Sequence, residues 1–168
     1  QRVCGVCPIA HATAATFALD AAFGIGEKVP DNGRIIRNLI LGSNMLQSHV
    51  LHFYHLAALD FIDTTTVAAT NIPPWTPRYS TPDMVKGTLA ATLVGHYVQA
   101  LAMRRKAHQM GAIVGGHLPC TPTFVAGGST EVPDATKISN FRTLLSELRG
   151  FIDTVYVPDV LAVAGLFP

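Results

Sequence analysis

Two thiols three positions apart, Cys4 and Cys7, with Gly5 between them and His11 four residues further on, are the side chains in this sequence best suited to chemistry. Thiolate and imidazole donors at this spacing suit zinc, nickel or iron far better than magnesium or calcium, which prefer oxygen ligands. Pro8 fits the first position of a helix, where a missing N–H costs nothing, so Cys7 is placed at or beside a helix start. A thiol there meets the positive end of the helix dipole, with Arg2 close by in sequence, and both are expected to lower its pKa toward the thiolate. His11, at i+4 from Cys7, shares a face of the first turn with it.

Spacing alone leaves three readings open: a metal site, a redox dithiol and a pair of structural thiols. A thioredoxin-like dithiol should follow a strand in a βαβ unit, and helical sequence follows this one. A closed zinc site needs four donors. Cys4, Cys7 and His11 would then need one more, from His117, Cys120 or another chain.

The remaining candidates are weaker. His49, His52 and His55 stand at i, i+3 and i+6. Half-buried histidines bonded to carbonyls are favoured over ligands there, because no carboxylate stands at a suitable offset. Arg34 and Arg37 read as surface or interface salt-bridge partners. Gly115–Gly116 and Gly127–Gly128 lack the spacing of a phosphate loop and instead suggest close approach of backbone. Cys120, between two prolines and near His117, reads as a free structural thiol.

The elements that must carry these residues are mostly helical. A first helix is predicted over Pro8–Phe23, ended by Gly24 and Gly26, with a turn centred on Pro30–Gly33. A long helix follows from about Arg34 to Ile62, its apolar residues recurring at three- and four-residue steps. Residues 63–80 are Thr- and Pro-rich and read as an extended surface or partner-binding segment. Thr81–Pro82–Asp83 has the residues of a helix start, predicting a helix to about Val114. A short strand is expected at Thr123–Ala126, and a last one-faced helix is capped by Asp134 and broken at Pro158. The fold class expected is mainly α: a long-helix bundle with irregular loops and little strand, as one domain over residues 1–168.

Composition narrows the setting. Only 14% of the 168 residues are charged, against roughly 25% in an ordinary soluble domain, which suits a chain built into something larger. The net charge of +1 gives no footprint for nucleic acid. Three cysteines do not make a disulfide framework at this length. No run reaches the ~18 apolar residues of a membrane helix. There is no initiator methionine or leader, and the chain opens inside its best motif, so a piece of a longer protein is expected.

Taken in register, the blocks resemble a known family. Arg2-x-Cys4-Gly5-x-Cys7-x-x-x-His11 is similar to the N-terminal metal-binding motif of the nickel–iron hydrogenase large subunit. The likeness continues through Pro30-x-Asn32-x-x-Ile35-Ile36-Arg37-Asn38-Leu39, then His49-Val50-Leu51-His52-Phe53-Tyr54-His55-Leu56. Pro73-Pro74-Trp75-Thr76-Pro77-Arg78-Tyr79, Gly115-Gly116-x-x-Pro119 and Val125-x-Gly127-Gly128 follow in family order. The group most resembled is the uptake, or hydrogen-oxidising, type.

The resemblance implies a fragment of a larger large-subunit fold belonging to a hydrogen:acceptor oxidoreductase, incomplete by itself. Such an enzyme splits H2 heterolytically and reversibly at a Ni–Fe centre whose iron carries CO and cyanide. Four cysteines would bind that centre: Cys4 as a terminal nickel ligand, Cys7 as a bridge between the metals, and two more elsewhere. His11 and Arg2 would lie just outside the ligands, His11 hydrogen-bonding a bridging sulfur. Electrons would leave through iron–sulfur clusters of a separate small subunit. Membrane association would come only through partners, and a periplasmic or membrane-associated location is favoured over a cytoplasmic one.

Departures are equally visible. The family's second cysteine pair, in an Asp-Pro-Cys-x-x-Cys motif, is not among these residues, nor are the glutamate region and the arginine that overhangs the metals. Gln47-Ser48-His49 stands where many relatives have His-Asp-His. His117 and Cys120 replace a Lys and a His of the Gly-Gly-Lys-x-Pro-His block, so roles tied to those residues do not carry over. The alternative function is a small helical zinc-binding domain using Cys4, Cys7, His11 and one more donor.

Overall fold

A computed structural model describes residues 3–73, 75–76 and 78–167. Six α-helices are joined by short 3₁₀ and π segments, with one small hairpin as the only named sheet among the described residues. The mainly helical class read from the sequence is what forms. The chain divides into two compact units, residues 1–48 with 104–148 and residues 49–103 with 149–168.

In the first unit, α1 (Pro8–Ala22) begins at Pro8 as expected. Its end is a Schellman closure: Gly24 takes φ 65°, Ile25 N–H donates to the Asp20 carbonyl at 2.9 Å, and Gly24 N–H to that of Ala21 at 3.0 Å. Helix α2 (Asp31–Val50) starts three residues earlier than predicted, its first turn closed by Arg34 N–H to the Pro30 carbonyl at 3.0 Å. Asn32 and Gly33 are therefore helical, and Gly33 serves contact: a Cβ there would lie 3.0 Å from the Gly128 Cα. That glycine belongs to the hairpin of β1 (Phe124–Val125) and β2 (Gly128–Ser129), turned at Gly127 with φ 84°. The strand expected at Thr123–Ala126 is thus one arm of a two-residue-per-arm hairpin.

In the second unit, residues 51–57 widen to a π-helix before the short α3 (Ala58–Phe61). Ile62 then pairs in parallel with Val85, through Val85 N–H to the Phe61 carbonyl at 2.8 Å and Asp63 N–H to the Val85 carbonyl at 2.9 Å. That pairing takes the backbone predicted to open a helix at Thr81–Pro82–Asp83, and α4 (Gly87–Gly115) begins only after it, at a glycine with φ 64°. The intervening Pro-rich stretch is irregular but fastened. The Arg78 guanidinium donates to the Thr64 and Thr65 carbonyls, each at 3.3 Å, and to Asn71 Oδ1 at 3.2 Å. Of its prolines, Pro74 and Pro77 lie outside the described residues.

The last helix departs from expectation in one respect. Asp134 Oδ1 caps α5 (Ala135–Phe151) through Lys137 N–H at 2.8 Å, as predicted. Pro158 does not break the helix: residues 152–156 take a π turn and α6 (Val157–Ala164) carries on, with Pro158 in its first turn. Widening the turn relieves the clash of the proline ring with the carbonyl four residues earlier and absorbs the missing N–H.

Candidate metal centre

Cys4 and Cys7 form one tight turn at the mouth of α1. Cys4 Sγ accepts N–H bonds from Val6 at 3.3 Å and from Cys7 at 3.2 Å. Successive amides pointing at one sulfur are the arrangement a thiolate needs, because each donor stabilises the anion. The side-chain hydrogen bond from Cys7, followed by the two backbone donors, pushes the Cys4 thiol down from its ordinary value. The same side-chain bond, followed by burial, pushes Cys7 up. This corrects the sequence expectation: Cys7 does occupy the N-cap of α1, but the thiol eased toward thiolate is Cys4.

The turn is tied to the helices behind it. Gln47 on α2, 1% exposed, donates from Nε2 to the Val6 carbonyl at 3.3 Å. Arg104 on α4 donates to Gln47 Oε1 from both Nε and Nη2 at 3.3 Å. Neither residue was singled out from spacing. The one signal available was the Gln47-Ser48 substitution in the long-helix block, which marks the position without saying what it touches.

His11 sits one turn up α1, its N–H bonded to the Cys7 carbonyl at 3.3 Å, with its ring exposed. Among the described residues no three His, Cys, Asp or Glu side chains are grouped to hold a metal ion. His11 therefore does not join the two thiols as a third ligand, and His117, exposed, with Cys120, half-buried, adds none. Arg2 lies outside the described residues. His49 and His52 are exposed, while His55 is partly buried with Nε2 3.2 Å from the Tyr97 carbonyl, so at His55 the carbonyl-bonded reading holds.

Arg37 is a second correction. It is buried, not on a surface, and forms an ion pair with Asp20 at 2.6 Å with both side chains at most 5% exposed. Its remaining donors reach the Gly128 carbonyl at 2.9 Å and the Val125 carbonyl at 2.7 Å, while Gly127 N–H donates to Asp20 Oδ1 at 2.7 Å. Arg34 behaves as expected, in an exposed pair with Asp31.

Two soft sulfur donors with amides aimed at one of them fit half of a four-thiolate site and fall short of a closed tetrahedral one. Similarity points the same way. The family model for nickel-dependent hydrogenase matches residues 1–74 and 64–168. The chain is 42% identical to the periplasmic NiFeSe hydrogenase large subunit of Desulfomicrobium baculatum, over 99% of this chain and 33% of that protein. It is 30% identical to the quinone-reactive Ni/Fe-hydrogenase large chain of Wolinella succinogenes, over 99% of this chain and 36% of that one. Its fold matches the Ni-Fe-Se hydrogenase of D. vulgaris Hildenborough, in the as-isolated oxidised state, with a TM-score of 0.90 and 43% identity over 99% of this chain and 33% of that chain. The sequence thus spans about a third of the length of these relatives. With the family model matched from one end to the other and the fold shared at this identity, the chain belongs to the nickel-dependent hydrogenase family.

Proposed function

We propose that this chain supplies half of the metal-binding shell of a hydrogenase large subunit that carries out reversible heterolytic cleavage of H2. The observation that carries the reading is the Cys4–Cys7 turn, two thiols with backbone amides aimed at sulfur, in a chain of this family. Cys4 would be a terminal nickel ligand and Cys7 a bridge to iron, with two further thiolates from outside these residues and CO and cyanide on the iron. Such a centre supplies Lewis acidity and redox capacity, which polarise the H–H bond and take its electrons. The chain's own contribution is to hold the ligands. The two N–H donors to Cys4 Sγ lower that sulfur's proton affinity and favour the thiolate form, the form that binds metal. His11, one turn beyond Cys7 on α1 and exposed, would hydrogen-bond a bridging sulfur, and the family resemblance gives Arg2 a role outside the ligands.

Electrons would pass to iron–sulfur clusters of a small subunit. The periplasmic relative supports a periplasmic or partner-tethered location, and no described helix is long and apolar enough to cross a membrane. The zinc alternative loses ground because it needs four donors and no group of three is assembled among the described residues.

Metal analysis of the complete matured heterodimer tests the reading. Nickel together with iron is expected, with infrared bands from CO and cyanide bound to iron; zinc alone would sink it. Cys7→Ser is expected to abolish the bimetallic site, and a substituted enzyme with a normal centre would show the bridging role to be wrong.

A further inference from the structure

The Val6 carbonyl and the Cys7 N–H belong to one peptide unit, so two contacts described separately above are the two ends of a single amide. Its oxygen accepts from Gln47 Nε2 at 3.3 Å and its N–H donates to Cys4 Sγ at 3.2 Å. Gln47 Oε1 in turn accepts from Arg104 Nε and Nη2. A guanidinium only donates and a carbonyl oxygen only accepts, so one orientation of the Gln47 amide satisfies both ends. The series Arg104, Gln47, Val6–Cys7 peptide, Cys4 sulfur is therefore head to tail, every member donating toward sulfur. Hydrogen bonds in such a series polarise one another in the same sense, and burial of Gln47 shields the bonds at its own amide from water.

We propose that Arg104 and Gln47 are positioning residues that draw electron density from Cys4 Sγ through the Val6–Cys7 peptide and so set how strongly this ligand donates to its metal. The proposal rests on Cys4 being a metal ligand. It assigns a part in the centre's electronics to two residues 57 positions apart, reaching Cys4 through the Val6–Cys7 peptide. Hydrogen bonds to ligating sulfur are a general means of raising a metal site's reduction potential. Breaking the series is expected to do the reverse.

The test uses the complete matured heterodimer carrying the unaltered chain, Arg104→Met, Arg104→Lys or Gln47→Leu. Nickel and iron content, the infrared stretches of the iron-bound CO and cyanide, and the midpoint potential are read for each. Metal content is expected at the unaltered level in both Arg104 variants. In Arg104→Met the CO stretch and the potential both fall, as density returns to the metals. Gln47→Leu moves them at least as far, and Arg104→Lys less, because lysine keeps the charge but not the fork. Arg104→Met with full metal content and unmoved bands and potential overturns the proposal. So does loss of metal from Arg104→Met, which leaves the Gln47–Val6 bond in place and would make the arginine a scaffold only. If Gln47→Leu does not mature, Arg104→Met decides alone. Absence of the bands from the unaltered complex is a different failure: it removes the nickel–iron reading and the relay with it.

Discussion

At the scale of single residues, the Asp20–Arg37 pair shows how a charge earns its place in an apolar interior. Both side chains are almost fully buried, and burial of an isolated charge is prohibitive. Here the carboxylate takes two guanidinium contacts and the Gly127 amide, and the guanidinium takes two carbonyls besides. Removing one partner strands the other. Arg37→Met is expected to cost about 3–5 kcal/mol, and Asp20→Leu combined with Arg37→Met to recover much of it; thermal denaturation of the three variants measures the difference. The Arg37 hydrogen bond holds the Asp20 carboxyl below its ordinary value of 3.8. A depressed carboxylate stabilises the fold above its unfolded pKa, and that stabilisation fades as pH falls through the folded one. The unaltered chain should therefore lose stability below about pH 4 in a step that the doubly substituted chain lacks. Sequence spacing placed Arg37 on a helix but not its face, because the hairpin it braces lies some ninety residues away and no local pattern reports a partner at that distance.

Among the elements, the two π turns are the features that periodicity could not anticipate. Apolar residues at three- and four-residue steps look alike in an α-helix and in one interrupted by a single wider turn, so residues 51–57 read as plain helix. Pro158 was visible but its consequence was not: the neighbouring turn widened where a break was expected. Tyr54, inside the first π segment and fully buried, donates its hydroxyl to Asp159 Oδ2 at 2.6 Å, and His96 Nδ1 lies 2.7 Å from the same oxygen. Burial first, and Asp159 next, drive the Tyr54 pKa far upward, so the phenol stays a donor at any working pH. Tyr54→Phe removes a hydrogen bond to a charged acceptor and is expected to cost about 1.5–3 kcal/mol. Denaturant unfolding checks this, with Tyr79→Phe, whose hydroxyl contact is exposed and 3.5 Å long, as the near-neutral control.

For the whole molecule, the helical class and the close approach of Cys4 and Cys7 were legible because both rest on local sequence: helical period, capping residues and a cysteine spacing. The supports of the cysteine turn were not, since Gln47 and Arg104 meet only after α2 and α4 have packed. The low charge was legible too, and its structural counterpart is a set of large apolar side chains left open, among them Phe17, Phe23, Leu161 and Val132, each more than half exposed. Side chains of this kind are available to be covered when the chain sits in a larger assembly. The 168-residue stretch expressed by itself is expected to self-associate, and light scattering that showed a monodisperse monomer would contradict that.

The pairing of Ile62 with Val85 has a consequence for how the family tolerates change in length. It ties the two ends of the stretch from Asp63 to Met84 together before α4 begins, and Arg78 gathers the near part of that stretch around itself. Once the ends of a loop are fixed, each doubling of its length costs only about 0.6 kcal/mol of closure entropy. Residues can therefore be gained or lost here over evolutionary time while the helices that carry the cysteine turn keep their register.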